Sequence, residues 1–224
     1  IMSSDWSSDV CSSDLADSVV YIDPSVMPYL GEKARDTMHA AEPADIVLVT
    51  HEHADHCSTD IIERLAKPGT TVVGPASCRK KLGSMFHEMN PGDTASFGSV
   101  HVQAVEAYNV VRHRTPGTPF HPKGTGLGYI VTMDGHSIYH AGDTEPIPEM
   151  EQYGPVDVAF LPVDGYYTMS PAEALESATL LRAHTVIPVH FFETDADAVL
   201  EATEAVPGIS VEILDIGQTY ELSS

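Results

Sequence analysis

The stretch Thr50-His51-Glu52-His53-Ala54-Asp55-His56-Cys57 gathers three imidazoles and an aspartate into the span from His51 to His56. Neutral imidazole nitrogen and carboxylate oxygen are the donors that zinc and similar divalent ions take. Such a dense run cannot all converge on one ion, because the backbone between adjacent Asp55 and His56 is too short to wrap it. Alternation resolves the conflict: His51 and His53 serve one ion, and Asp55 and His56 serve a second. Two divalent ions about 3.5–4 Å apart can bridge a water and lower its pKa towards ~7. The hydroxide so formed attacks a carbonyl or phosphoryl centre, and Asp55 holds and orients it while ligating. A merely solvated polar loop is the plain alternative, and it sits poorly with three histidines placed directly after an apolar strand.

That placement follows from the elements around the motif. Asp45–Thr50 is short, apolar and β-branched, so it reads as a strand, as do Ser18–Asp23 and Thr70–Pro75. Ser58 or Thr59 caps the helix that follows the motif, and Pro68-Gly69 is read as its stop. Val100–Tyr108 alternates like a half-exposed strand. Gly128–Met133 and Ser137–Ala141 form a hairpin around Asp134-Gly135, a two-residue turn signal. The runs VDVAFLPVD and TVIPVHF read as strands buried on both faces. Between them Ser170 and Pro171 open a helix, DADAVLEATEAV gives another, and ISVEILD a last strand. Strands interleaved with helices give an α/β layered domain. Ligand sites in such domains lie in strand-end loops, where this motif falls.

The HEHADH run matches the HxHxDH motif of the metallo-β-lactamase-fold hydrolases. HAGDT (His140–Thr144) resembles their later Asp motif, and IPVHF (Ile187–Phe191) their final His motif. The wording from Tyr139 to Phe191 looks closest to the branch of ascorbate-6-phosphate lactonase-like, UPF0173-type hydrolases. The resemblance runs from about Ser18 to Leu222 and is specific for the superfamily, much less so for a substrate. It implies a four-layer αββα sandwich and two divalent ions, zinc foremost, with manganese or iron as alternatives. It assigns His51 and His53 to the first ion, Asp55 and His56 to the second, Asp143 to a bridging carboxylate and His190 to the last ligand of the second ion. Redox relatives with a di-iron site carry Glu where His53 stands, which speaks against that chemistry.

One role does not transfer directly. The family's third histidine for the first ion lines up with Asn109, a poor zinc ligand. His121 is the preferred substitute, with His113 and Asn109 as alternatives. His39, His87, His101, His136 and His184 read as surface or packing residues. His140 is expected to orient a ligand from outside the centre, Cys57 to be a small buried residue, and Tyr166 and Tyr167 to line the pocket rim or pack.

The function expected is a dinuclear hydrolase acting through a bridging hydroxide on a small ester, lactone or phosphorylated molecule. Lys123 and Arg112 or Arg114 are candidates for binding a phosphate, with solvated surface cations as the plain alternative. A phosphodiesterase or nuclease of the same fold, or a non-catalytic metal-binding fragment, are the competing readings. The 33 Asp and Glu against 11 Lys and Arg, a net charge of −22, repel nucleic acid and anionic membranes. The same balance is that of a salt-adapted protein, or of an ordinary acidic one. No window approaches the roughly 18 apolar residues of a membrane span. Cys11, Cys57 and Cys78 make no disulfide framework, so a reducing cytoplasm is the expected location.

The first residues do not belong to this pattern. DWSSDVCSSDL (Asp5–Leu15) reads like a translated sequencing adapter and carries no strand or helix signal. Relatives resembling this chain place two strands ahead of the YIDP segment. The expectation is that residues 1–15 are non-native, that residues 16–224 form the domain, and that the sandwich lacks its first strands.

Overall fold

A computed structural model of the chain describes residues 2–3 and 11–15 as backbone, and residues 18–83, 86–203, 206 and 208–222. The first sheet runs in the order β1 (Met2–Ser3), β2 (Cys11–Leu15), β3 (Ser18–Ile22), β4 (Ala44–Leu48), β5 (Ala66–Gly74) and β6 (Phe86–Glu88). From β3 to β6 its strands are parallel. The second sheet holds β7 (Thr94–Phe97), β8 (Val100–Ala107), β11 (Gly126–Met133), β12 (His136–His140), β13 (Val158–Pro162), β14 (Thr185–Val189) and β15 (Ser210–Val211), adjacent in the order β15-β14-β13-β12-β11-β8-β7. A separate ribbon pairs β9 (His113–Thr115) with β10 (Thr118–Pro119). The helices are α1 (Gly31–Ala40), α2 (Thr59–Leu65), α3 (Arg79–Leu82), α4 (Pro171–Leu180) and α5 (Ala196–Thr203).

Strand alternation decides the layers, because successive side chains point to opposite faces. Val20, Ile22, Ile46 and Leu48 face the second sheet and meet Val102, Tyr129, Val131, Phe160 and Ile187 in one core. Their neighbours Tyr21, Val47 and Val49 point the other way, against Met38 of α1 and Ile62 and Leu65 of α2. In the second sheet Tyr139, Ala159, Leu161 and Val186 turn outward onto Ala174 and Ala178 of α4 and Val199 of α5. The result is the four-layer αββα sandwich. Full burial of a side chain such as Leu48 or Phe160 contributes about 1.5–3 kcal/mol.

Local signals hold in most places. Asp134 and Gly135 take φ +50 and +83 and close the β11–β12 hairpin, with Met133 opposite His136. Ser170 makes a full capping box with Glu173 at the start of α4.

Three expectations are corrected. Pro68 and Gly69 do not end a helix. The α2 helix stops at Leu65, and the pair lies inside β5, within an irregular stretch between the pairings Ala44–Ala66 and Ile46–Thr71. Such a bulge tolerates a residue without an N–H. The last strand shrinks to Ser210–Val211, which pair only with Thr185 and Val186. Before Ser18, where no strand or helix was expected, β2 pairs antiparallel with β3, and β1 with β2. An open edge offers backbone donors and acceptors to any extended segment, whatever its side chains.

Candidate metal centre

The strand ends deliver the site. His51 follows β4, Asp143 follows β12, Asp164 follows β13 and His190 follows β14, while Asp23 follows β3. In this way the C-terminal ends of parallel strands from both sheets meet at one rim of the sandwich. Two backbones are held in the left-handed region to do so, Asp23 at φ +49 and His190 at φ +52. Each such residue costs on the order of 1–3 kcal/mol, which the packed surroundings must supply. Gly142 is needed for a different reason. A Cβ there would lie 2.7 Å from the Leu127 carbonyl oxygen and 3.0 Å from Thr50 Cβ. Only glycine lets the Asp143 turn come this close to the end of β4.

The side chains form two donor groups. His51, His53, His121 and Asp143 offer atoms within 4.8 Å of one another, and so do Asp55, His56 and His190. Asp143 lies between the groups. Its Oδ2 is 3.0 Å from His121 Nε2 and 3.7 Å from His51 Nε2. Its Oδ1 is 3.4 Å from His56 Nε2 and 3.7 Å from His190 Nε2. His51 Nε2 and His53 Nδ1 converge at 2.9 Å. The Asp55 carboxylate stands 3.7 Å from His56 and 3.9 Å from His190.

Outer partners fix the rings. Asp23 Oδ2 lies 2.8 Å from His56 Nδ1, and Asp23 also accepts from the Thr50 N–H and hydroxyl at 2.7 and 2.5 Å. Asp164 Oδ2 lies 3.0 Å from His190 Nδ1. Its carboxylate further accepts from the Thr168 hydroxyl and from the N–H groups of Tyr166 and Tyr167. Asn109 Oδ1 accepts from the His121 N–H at 2.7 Å and meets its ring Nδ1 at 2.8 Å. Thr50 Oγ1 is 3.0 Å from His51 Nδ1. Carboxylate or carbonyl behind an imidazole sets which nitrogen faces inward and strengthens it as a donor.

Electrostatics suit a cation. Burial, and then the adjacent His56 ring, hold the His51 imidazole well below the ordinary histidine range. Burial and His121 lower His53. Burial on its own would raise Asp143, but His56, His190 and His121 outweigh it and keep the carboxyl well below the usual range. Burial also opposes the Asp164 carboxylate, and the His190 ring and the Thr168 hydroxyl bring it below its ordinary value. Asp143 Oδ1 is buried and accepts no hydrogen bond among the described residues. A buried carboxylate oxygen without a donor is costly, and a cation is the partner that would relieve it. The residues present therefore fit divalent metal.

The structure brings every residue expected at the site into one cluster. Of the three possibilities for the remaining first-ion donor, His121 is the one it places there. His113 is exposed, its Nδ1 facing the Val111 carbonyl, and Asn109 braces His121 from behind. His140 is buried and its Nδ1 accepts the Gly142 N–H at 3.2 Å, which steadies the turn before Asp143. Cys57 is a small buried residue. Asp23 and Asp164 were missed. Their signal was an acid directly after a strand, in YIDP and LPVDG, which many unrelated turns share.

A pocket of about 400 Å³ opens over the cluster, with His53, Asp55, His121, Asp143 and His190 at its floor and Phe120, Tyr167 and Phe192 in its walls. Tyr167 lines this pocket, while Tyr166 is 61% exposed beside it.

The fold and the donor set define the class. The chain belongs to the beta-lactamase superfamily domain family, whose model matches residues 8–190. More narrowly, a UPF0173 metal-dependent hydrolase of Methanoculleus marisnigri is 32% identical over 97% of this chain and 95% of that protein. Among solved structures, a protein of Parabacteroides distasonis is 31% identical with a TM-score of 0.81, covering 94% of this chain and 90% of its own. Igni18, a metallo hydrolase of Ignicoccus hospitalis, is 25% identical with a TM-score of 0.79 over 99% of each chain. Among the described residues no helix is long and apolar enough to cross a membrane.

Proposed function

We propose that this chain is a metal-dependent hydrolase that works with two divalent ions, zinc by the nature of its donors, on a small ester, lactone or phosphorylated substrate. The observation that carries this reading is Asp143, whose two oxygens face two separate donor groups. His51, His53 and His121 would hold one ion and Asp55, His56 and His190 the other, with Asp143 shared. Ions bound there would supply Lewis acidity and lower the pKa of a water towards ~7. Asp55 is half-buried at the pocket floor, where its carboxylate can accept a hydrogen bond from the attacking water and orient it. Phe120, Tyr167 and Phe192 form the aromatic walls of the pocket around that position. Small phosphodiesters fall within the same chemistry. Long nucleic acids do not, because a net charge of −22 repels them.

The test is a zinc titration of the purified chain, with activity measured on a panel of lactones, esters and phosphodiesters. The reading expects two equivalents per chain, and hydrolysis that disappears in Asp55→Ala. One equivalent or none overturns the dinuclear reading. Two equivalents with no turnover of any panel member favours a non-catalytic metal-binding protein.

A further inference from the structure

The segment from Arg112 to Lys123 carries three cations, and the structure separates them by their partners. Arg112 is committed to structure. Its guanidinium is 2.6 Å from Glu145 and 2.6 Å from Glu173, and its Nε donates to the Gly165 carbonyl. Lys123 is committed too, 2.5 Å from Glu149 and 4.6 Å from the centre of the Tyr108 ring. Arg114 differs from both. Among the described residues no carboxylate pairs with it, and its guanidinium stands 5.9 Å from the centre of the Phe120 ring. It lines the same pocket as His53, Asp55 and His190.

An unpaired guanidinium beside a cluster of metal donors is matched by an anion on the substrate. Its planar fork fits a carboxylate with two parallel hydrogen bonds. One guanidinium balances one negative charge. A phosphate dianion received by side chains alone, outside the metal donors, would call for a second cation, and Arg112 and Lys123 are already paired. The overall charge of −22 also disfavours a dianion more than a monoanion. Next to Arg114 the wall is aromatic. Phe120 meets Tyr167 edge-on at 5.0 Å, and Tyr167 meets Phe192 at 5.6 Å. Such a surface takes a flat apolar body.

We infer that Arg114 is a specificity-determining residue that receives the carboxylate of a small substrate, whose apolar portion lies against Phe120 and Tyr167 while its scissile bond faces the donor cluster. The inference rests on the hydrolase reading for the last of these contacts, and binding tests it without turnover. Succinanilic acid and propionanilide share the anilide and its two-carbon arm and differ by the carboxylate. Calorimetric titration of the zinc-loaded chain with each is expected to show the acid binding about ten-fold tighter, one charge-assisted contact at a wet site. In Arg114→Ala the ratio is expected to fall to about one, and in Arg114→Lys to an intermediate value, since lysine keeps the charge and loses the fork. Circular dichroism of the variants checks that they are folded. Equal binding of the two compounds by the unaltered chain overturns the assignment, and so does binding of neither. A ratio that survives in folded Arg114→Ala overturns it as well, because the carboxylate then sits elsewhere. None of these outcomes requires hydrolysis, so a chain that binds the acid through Arg114 yet turns over nothing would refute the enzyme reading alone.

Discussion

Asp23 Oδ2 lies 2.8 Å from His56 Nδ1 at the fully buried junction of β3 and the metal-donor loop. The same carboxylate accepts the N–H and hydroxyl of Thr50, and Thr50 in turn faces His51. One acid thus braces a ring in each donor group. Asp23→Asn puts an amide N–H where an acceptor is needed. We expect a loss of about 1–3 kcal/mol in unfolding free energy from the mismatched buried donors. We also expect zinc affinity to fall by about 10–100-fold, as is typical when the partner of a ligating histidine is removed. Competition with a chelator measures the second effect. Unchanged affinity in a folded Asp23→Asn protein would show that the bond braces nothing.

Asn109 and Asp164 allow a finer comparison, because each supports one group only. Asn109 holds His121, and Asp164 holds His190. Asn109→Ala should weaken one zinc equivalent by at least about ten-fold and leave the other near its original affinity. Asp164→Asn should do the same to the opposite equivalent. Cobalt substitution reads the two positions by their visible spectra. If both variants lose the same equivalent, the division of donors between the ions is wrong.

The course of the chain explains which of these residues could be read beforehand. His51 to His56 are consecutive and sit after an apolar strand, so their convergence needs no tertiary knowledge. Asp143 and His190 are legible through the resemblance of short motifs, and the fold brings them in because β12, β13 and β14 are parallel and end at one rim. His121 is harder. Its approach depends on the path from Asn109 through the β9–β10 ribbon, which is fixed by Glu145 accepting the N–H groups of Val110, Val111 and Arg112. Nothing periodic announces such a path. Asp23 and Asp164 are single acids after strands, and only the rings they face distinguish them from ordinary turn residues. The strand pairing ahead of Ser18 was invisible for a related reason: edge pairing draws on backbone, and the Ser/Asp run has no apolar alternation to betray it.

The depressed histidines make the metal-free protein sensitive to acid. Both His51 and His53 titrate below the ordinary histidine value when folded, chiefly through burial. Above about pH 6.5 they are neutral in the folded and unfolded states alike, so they contribute no pH dependence there. Below it the unfolded chain binds protons that the folded chain refuses, and stability falls as pH falls. The slope is up to about 1.4 kcal/mol per pH unit for each histidine until its folded pKa is reached. Asp143 adds the same sign at lower pH, since its carboxyl is held below the usual range in the fold. Urea unfolding of chelator-treated protein at pH 7.5, 6.0 and 5.0 should show the decline, and a stability that rises on acidification would contradict it.

Salt should act in the direction opposite to the one its ion pairs suggest. Lys67–Asp45, Arg79–Glu88 and Lys123–Glu149 are surface pairs at 2.7, 2.5 and 2.5 Å. Exposed pairs of this kind contribute about 0–1 kcal/mol each, and salt weakens them. Against them stand 33 acids and only 11 basic residues, so most carboxylates have no cation to meet and repel one another across the surface. Raising salt from 0.1 to 1 M shortens the screening length from about 10 Å to about 3 Å, which removes most of that repulsion. Repulsion involves many more charges than the pairs do, so its relief should win. Each kcal/mol gained corresponds to about 2–4 °C in Tm for a chain of this size. We therefore expect Tm to climb by several degrees between 0.1 and 1 M KCl in the zinc-loaded protein. A flat or falling Tm would mean that the acidic surface is spaced widely enough to be neutral for stability, and that the chain has no special need of salt.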